Sequence, residues 1–186
     1  MALTPSNMIP LGTTAPDFKL VDTMSNQLIH LADMKSDIAT VIMFICNHCP
    51  YVKHIQAALV ELANEYIAKK IVFIAISAND PVSYPEDAPS IMRENALQSG
   101  FPFPYLFDET QSVAKAYDAA CTPDFYIFDK NLICVYRGQF DDSRPGNQIA
   151  VTGQDIKAAL DHLLAGKPVS ADQKPSVGCN IKWQNP

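Results

Sequence analysis

Residues 40–66 read TVIMFICNHCPYVKHIQAALVELANEY and carry the strongest structural signal in the chain. Residues 40–45 form a run without polar–apolar alternation, which is typical of a strand covered by helices on both faces. Pro50 follows at a position where a first helical residue is expected. Behind it, apolar side chains recur at helical spacing along one face, at Val52, Ile55, Leu59, Leu62 and Tyr66. The stretch therefore predicts a buried strand followed by a long amphipathic helix.

The flanking sequence extends this unit into a mixed sheet. A second apolar run over residues 71–76 predicts a parallel neighbour, reached through a right-handed crossover. Residues 125–128 and 132–136 are separated by the turn sequence Asp-Lys-Asn, which predicts an antiparallel hairpin. A last helix is expected from about Thr152, where a capping-box-like start occurs, to Gly166. The fold class is α/β, with a mixed central sheet flanked by helices.

The two ends of the chain differ in character from this central part. Residues 1–17 are rich in Pro, Thr and Ser and predict an N-terminal extension, after which residues 18–21 and 27–31 predict a small β-hairpin. Residues 169–186 are polar and contain several prolines, which predicts an extended C-terminal tail. The length of 186 residues fits a single domain, residues 1–186.

Composition excludes several classes of function. The 14 Lys and Arg against 20 Asp and Glu give a net charge of −6 without a basic stripe, which disfavours nucleic-acid binding. No apolar run approaches the roughly 20 residues that a membrane-spanning helix needs. Residues 1–8 lack the features of a secretory signal, and five cysteines are too few and too unevenly spaced for a disulfide scaffold. We therefore expect a cytoplasmic protein whose cysteines are mostly thiols.

Cys46-Asn47-His48-Cys49 lies where the predicted strand gives way to the predicted helix. Two cysteines at this spacing can bridge, and the unsatisfied N–H groups of a first helical turn favour a thiolate over a thiol. The thiolate is the nucleophile of disulfide exchange. His48 can add positive charge or a hydrogen bond to the same sulfur. The motif therefore predicts a redox-active dithiol.

Two other interpretations of the motif are open at this point. A zinc site needs a second ligand pair, but no partner with the usual spacing occurs among Cys121, Cys134, Cys179, His54 and His162. We therefore expect neither a metal nor another cofactor. The pair could instead be two buried cysteines that act as small apolar side chains, although the strand-to-helix context argues against that.

Four segments of the chain resemble one known group of proteins. They are APDF at residues 15–18, FICNHCPYV at 44–52, ACTPDF at 120–125 and PSVGCNIKW at 175–183. In this order they are similar to the peroxiredoxin-like proteins of the alkyl hydroperoxide reductase and thiol-specific antioxidant grouping. The resemblance covers nearly the whole chain and implies a thioredoxin-like fold. It also implies that Pro123 is the cis-proline of that fold and that Thr122 presents its backbone to a substrate strand.

The resemblance implies two different nucleophiles. By the thioredoxin pattern Cys46 attacks and Cys49 resolves, whereas by the peroxiredoxin pattern Cys49, followed by Pro50, reacts with a peroxide. The chain departs from both patterns. It has Thr40 where thioredoxins carry a buried acid, and Ile42 and Cys46 where peroxiredoxins carry Pro and Thr.

Several further residues are auxiliary candidates. His48 is one of them, and Arg144 is another, as the arginine that polarises a peroxide, although Arg137 competes for that role. Cys121 is an auxiliary thiol or a buried bystander. Cys179 is a third thiol that resolves an oxidised Cys49, or a tail cysteine held by packing, and the second role is slightly favoured.

Three functions follow from these observations. The first is a thiol-disulfide oxidoreductase that acts on protein or low-molecular-weight disulfides and is reset by a reducing thiol partner. The second is a thiol peroxidase in which Cys49 becomes a sulfenic acid. The third is a redox sensor or binding protein without useful turnover. A monomer and a homodimer are both compatible with the sequence.

Overall fold

The computed structural model describes residues 3–184 and shows an α/β fold with two sheets. The strands are β1 (Leu3–Pro5), β2 (Lys19–Asp22), β3 (Leu28–His30), β4 (Ala39–Phe44), β5 (Val72–Ser77), β6 (Tyr105–Phe107), β7 (Cys121–Thr122), β8 (Asp124–Asp129), β9 (Cys134–Gly138) and β10 (Val177–Asn180). The helices are α1 (Leu31–Met34), α2 (Pro50–Ile67), α3 (Pro89–Ser99), α4 (Ser112–Ala116) and α5 (Gln154–Leu164), with a single 3₁₀ turn at Pro85–Asp87.

The larger sheet has seven strands in the order β3-β2-β6-β5-β4-β8-β9. β4 lies in its interior, parallel to β5 and antiparallel to β8, so that Ile42 stands opposite Ile74 on one side and Tyr126 on the other. β6 is parallel to β5, and the outer strands run antiparallel to their neighbours. The predicted mixed sheet is therefore observed.

The lack of alternation along β4 follows from burial on both faces. Val41 and Met43 belong to the hydrophobic cluster formed with α2, α3 and α5. Ile42 and Phe44 point into a second cluster, to which α1 and α4 contribute. Every residue of β4 is buried, so both faces of the strand select apolar side chains.

The two ends of the chain meet in the smaller sheet. The predicted N-terminal hairpin is present as β2 and β3, but β2 also pairs with β6 and so belongs to the main sheet. β1 and the tail strand β10 pair with each other, and β10 pairs with β7 to give the order β1-β10-β7. The tail is thus partly a sheet strand, and its Ile181 is buried in the second cluster.

The last helix starts later than the capping-box pattern predicts. α5 begins at Gln154, and its N-cap is Gly153 with φ +65°, which bears no capping side chain. The carboxylate of Asp141 instead accepts hydrogen bonds from the backbone N–H groups of Thr152 and Gly153, at 2.6 and 2.7 Å. Among residues 3–184, no helix has the length and apolar character needed to span a bilayer.

Candidate redox site

Cys46 and Cys49 lie between the end of β4 and the start of α2. Cys49 is the N-cap of α2 in extended conformation (φ −68°, ψ 121°), and Pro50 opens the helix. A proline fits there because a first-turn N–H has no intrahelical acceptor. Cys46 and Cys49 are both free thiols, and they are 1% and 0% exposed, respectively. The helix start therefore holds the two sulfurs together inside the protein.

Thr122 contacts both of these sulfurs. Its Oγ1 is 3.3 Å from the Sγ atom of Cys46, and its carbonyl oxygen lies 3.2 Å from the Sγ atom of Cys49, from which it accepts a hydrogen bond when Cys49 is a thiol. The peptide bond between Thr122 and Pro123 is cis, as the resemblance implies. Thr122 is therefore the residue that links β7 to the dithiol.

A third thiol lies against the pair. The Sγ atoms of Cys49 and Cys179 are hydrogen-bonded at 2.9 Å, and Cys179 is buried on β10 opposite Thr122. Cys121 is also buried, but its thiol donates to the carbonyl oxygen of Pro123 at 3.7 Å, and burial raises its pKa. Of the two auxiliary cysteine candidates, Cys179 is thus the one whose thiol is hydrogen-bonded to a motif sulfur.

The pKa values of the two motif cysteines diverge. The hydrogen bond from Cys46, together with Cys179 and the Val52 amide, lowers the pKa of Cys49 to about 5 despite its burial. The same hydrogen bond to Cys49, burial and the negative charge of Asp87 raise the pKa of Cys46 well above its usual value. Cys49 is therefore the sulfur that ionises more readily, and Cys46 is the thiol that donates to it.

His48 is paired with an acid that sequence analysis did not identify. Its Nδ1 lies 2.6 Å from an oxygen of Asp87, a fully buried carboxylate at the end of the 3₁₀ turn. Asp87 also accepts hydrogen bonds from the backbone N–H of Asn47 at 2.7 Å and from Asn79 Nδ2 at 2.8 Å. The His48 ring stacks on Tyr84 with centroids 5.1 Å apart. Asp87 follows Pro81 and Pro85 in a loop distant in sequence from the motif, and no spacing rule connects it to Cys46.

Cys46, His48 and Asp87 are the only metal-ligating group found among residues 3–184, with ligand atoms within 4.8 Å of one another. Asp87 already takes part in three hydrogen bonds, one through Oδ1 with Asn47 and two through Oδ2 with His48 and Asn79. This arrangement is that of a hydrogen-bonded cluster beside the thiols. His48 Nε2 is buried, and no hydrogen-bond partner for it is found in the described part of the chain.

The two arginine candidates are engaged elsewhere. The guanidinium of Arg144 donates to the carbonyl oxygens of Asp141 and Ser143, at 2.6 and 2.7 Å, and to Gln139. It lines a narrow cleft next to Pro123. Arg137 donates to the carbonyl oxygen of Ile9 and to Gln173. Neither guanidinium makes any of its described hydrogen bonds to a cysteine sulfur.

Comparison with known proteins adds a family and a set of structural neighbours. A model of the AhpC/TSA family matches residues 11–137. A solved structure described as an uncharacterized conserved protein from Geobacillus kaustophilus is 61% identical, with a TM-score of 0.99, over 100% of this chain and 98% of that one. A hypothetical protein from Sinorhizobium meliloti is 47% identical over 98% of this chain and 100% of its own, with a TM-score of 0.96.

More distant solved structures share only the fold with this chain. The peroxidoxin BcpB from Mycobacterium tuberculosis is 20% identical, with a TM-score of 0.61, over 83% of this chain and 96% of its own. No curated protein matches the chain. Together with the family match, these neighbours confirm the predicted thioredoxin-like fold.

Proposed function

The chain belongs to the AhpC/TSA family, and from this membership we propose that it is a thiol-disulfide oxidoreductase. Family and fold support thiol redox activity in general, and exchange at Cys46 and Cys49 is the specific reaction that we assign. The observation that carries this assignment is the position of Cys46 and Cys49 at the start of α2, where both sulfurs contact Thr122 and their hydrogen bond lowers the pKa of Cys49 and raises that of Cys46.

The proposed cycle starts with Cys49. Its thiolate attacks one sulfur of a substrate disulfide, and the other sulfur leaves as a thiolate. Cys46 then loses its proton and attacks Cys49 Sγ in the mixed disulfide, which releases the second substrate thiol and leaves a Cys46–Cys49 disulfide. A reducing thiol partner restores the dithiol. In this scheme Cys49 is the nucleophile and Cys46 the resolving thiol, the reverse of the thioredoxin pattern.

A thiol peroxidase is the second candidate, and burial favours it. Cys49 is 0% exposed, so a small peroxide can reach its sulfur more easily than a protein disulfide can. Cys49 would then become a sulfenic acid, and condensation with Cys46 would form the same disulfide and water. The two candidates for the arginine that a peroxidase uses to polarise the peroxide, Arg137 and Arg144, make the hydrogen bonds described for them in residues 3–184 to oxygen atoms and none to Cys49. We therefore rank disulfide exchange first.

Stopped-flow kinetics of the reduced protein with oxidised glutathione and with hydrogen peroxide separates these functions. The variants are Cys49→Ser and the double variant Cys46→Ser, Cys179→Ser, which removes both thiols that can resolve an adduct. We expect the double variant to accumulate a glutathione mixed disulfide on Cys49, and Cys49→Ser to lose the reaction. Cys134→Ser is the matched control, because Cys134 is equally buried but lies in β9, with its thiol hydrogen-bonded to the carbonyl oxygen of Tyr136.

Two outcomes would contradict the proposal. Fast peroxide consumption with a sulfenic acid on Cys49, together with slow reaction with glutathione disulfide, would identify a peroxidase. Slow reaction of every form with both reagents would leave a redox sensor or binding protein. We also propose a cytoplasmic location, which fits a protein reset by a cellular thiol.

A further inference from the structure

The tail strand β10 occupies the edge of β7 next to the dithiol. Cys179 is in register with Thr122, and Asn180 with Cys121, in an antiparallel pair. Beyond the strand, the backbone N–H of Ile181 donates to the carbonyl oxygen of Ala120 at 3.1 Å. The backbone of Thr122 is therefore paired by the protein's own tail, and that tail carries a cysteine in the paired position.

Gly178 allows this close approach. A Cβ atom at position 178 would overlap the carbonyl oxygen and carbon of Thr122. The same carbonyl oxygen lies 3.2 Å from the Sγ atom of Cys49. Because position 178 lacks a side chain, β10 can lie close enough to Thr122 for the sulfur of the next residue, Cys179, to reach that of Cys49.

We propose that Cys179 takes part in a three-thiol relay. In this relay the disulfide bond between Cys46 and Cys49 is exchanged for one between Cys49 and Cys179. The inference rests on the proposed function, because the first disulfide is the product of that cycle. Cys49 is the shared residue, since its sulfur contacts the Cys179 sulfur at 2.9 Å and forms the hydrogen bond with Cys46.

The transfer is an internal thiol-disulfide exchange. Cys179 gives up its proton, and its thiolate attacks Cys49 Sγ, so that the Cys49–Cys179 bond forms as the Cys46–Cys49 bond breaks. Cys46 leaves as a thiolate and takes up a proton, and its burial and acidic neighbour then hold it as the thiol. The number of disulfides stays at one, so no further oxidant is needed. The product holds the tail to the start of α2 covalently and returns Cys46 to the thiol form.

The other two cysteines lack this geometry. The Cys121 thiol is directed to the carbonyl oxygen of Pro123, and the Cys134 thiol to that of Tyr136. They therefore serve as internal references for the test. A relay through Cys179 predicts that oxidation leaves both of them as thiols.

Peptide mapping after oxidation tests the relay, because the two disulfides fall differently among tryptic peptides. Cys46 and Cys49 lie together in the peptide of residues 36–53, whereas Cys179 lies in residues 158–182, since the lysines at 167 and 174 precede prolines. The reduced full-length protein is treated with oxidised glutathione, remaining thiols are alkylated, and the peptides are identified by mass spectrometry. A Cys46–Cys49 bridge stays within one peptide, and a Cys49–Cys179 bridge joins two.

We expect joined peptides from the wild type and from Cys46→Ser, and none from Cys49→Ser or Cys179→Ser. Cys179→Ser should still form the bridge within residues 36–53. The absence of joined peptides from both wild type and Cys46→Ser, while the wild type forms the Cys46–Cys49 bridge, would overturn the relay and leave the proposed function intact. Failure to form either bridge would overturn both.

Gly178→Ala is a second variant that retains all five cysteines. Its added methyl group should move β10 away from Thr122, so we expect a several-fold lower yield of joined peptides with the Cys46–Cys49 bridge retained. An undiminished yield would contradict the role of the strand pairing in the relay. Far-UV circular dichroism establishes that the compared variants are folded.

Discussion

At the scale of single residues, the main feature of the site is that the pKa values of its two cysteines are shifted in opposite directions. Cys49 receives a hydrogen bond from Cys46 and lies at the positive end of α2, whereas Cys46 faces the carboxylate of Asp87. Burial raises the pKa of a cysteine, as at Cys134, where it gives a value of about 11 although Arg137 and the Tyr136 backbone act in the opposite direction. The local contacts of Cys49 outweigh that effect.

The pH dependence of the Cys49 thiolate follows from this. Its pKa of about 5 predicts that the ultraviolet absorbance of a thiolate appears near pH 5 in the wild type. Cys49→Ser should lack this transition, and Cys134→Ser should retain it. A wild-type protein whose first thiolate appears only near pH 9, the usual cysteine value, would contradict the assignment.

The same shift predicts how stability changes with pH. The folded-state pKa of about 5 lies below the usual value of 9.0, so the unfolded chain binds the proton more tightly. The ionisation therefore contributes stability that is full above pH 9 and is lost as the pH falls towards 5. Urea unfolding should show that the wild type loses more stability than Cys49→Ser between these two pH values. Equal losses in the two proteins would show that Cys49 is not the group responsible.

Asp87→Asn should lower the pKa of Cys46. The substitution removes the negative charge that opposes ionisation of this sulfur, and a shift of about one pKa unit is typical for a close charge. The measurement compares the pH dependence of iodoacetamide alkylation in Cys49→Ser with and without Asp87→Asn, so that only Cys46 of the pair remains.

Asp80→Asn is the control for this experiment. Asp80 is also a poorly exposed aspartate of the same loop, but its carboxylate accepts hydrogen bonds from the backbone of Val82 and Ser83. Asp80→Asn should leave the pH dependence of Cys46 alkylation unchanged. Equal shifts from both substitutions would mean that loop structure, and not the charge of Asp87, sets the reactivity of Cys46.

At the scale of elements, the start of α5 shows a constraint imposed by packing. Gly153 has φ +65°, and a Cβ there would lie 2.7 Å from Leu62 Cδ1 and 2.8 Å from Phe140 Cζ. Gly153→Ala combines an unfavourable backbone conformation with overpacking, each of which costs about 1–3 kcal/mol. We expect urea unfolding to show that the free energy of unfolding falls by an amount in this range or above it.

Gly166→Ala isolates the backbone contribution. Gly166 follows the other end of α5 with the same φ of +65°, but a Cβ there would meet no atom within 4 Å. It should therefore destabilise the protein less than Gly153→Ala does. Equal losses would show that the contacts with Leu62 and Phe140 relax without cost.

The elements that sequence predicts well are those whose pattern is local. β4 and α2 are recognisable because each is long and its burial appears directly in its run of side chains. The start of α5 is displaced because its capping acceptor is Asp141, which no capping rule includes. The four residues of β10 have no strand pattern of their own, since pairing with β1 and β7 specifies the strand.

At the scale of the whole molecule, the tail completes the site. The motif and the resemblance predict Cys46, Cys49, Thr122 and Pro123 as a group, and in the structure Thr122, which precedes Pro123, contacts both sulfurs. Asp87 could not be predicted, because it comes from a distant loop, whereas the sequence offers the pairing of Cys179 with Cys49 as one of two alternatives and the pairing of β10 with β7 decides it. Because the sulfurs of Cys46 and Cys49 are both buried, we expect access to them to depend on the tail that carries β10.

Ile181 anchors the C-terminal tail. Its side chain is 1% exposed in the second hydrophobic cluster, and the adjacent Lys182 is hydrogen-bonded through its backbone to Asn79, Asp80 and Gln111. Truncation of a buried isoleucine to alanine costs about 2–5 kcal/mol. If tail opening limits access to Cys49, part of that loss should appear as a larger open population.

Ile181→Ala should therefore react faster with oxidised glutathione, by about tenfold for each 1.4 kcal/mol by which it favours opening. Stopped-flow kinetics gives the rate. Fluorescence of Trp183, the single tryptophan of the chain, is expected to report the opening, because its ring lies 5.7 Å from Lys115 Nζ when the tail is docked. Ile149→Ala is the control, since Ile149 is 50% exposed and lies outside the tail. A lower stability with an unchanged rate would mean that disulfides reach Cys49 by a route that the tail does not cover.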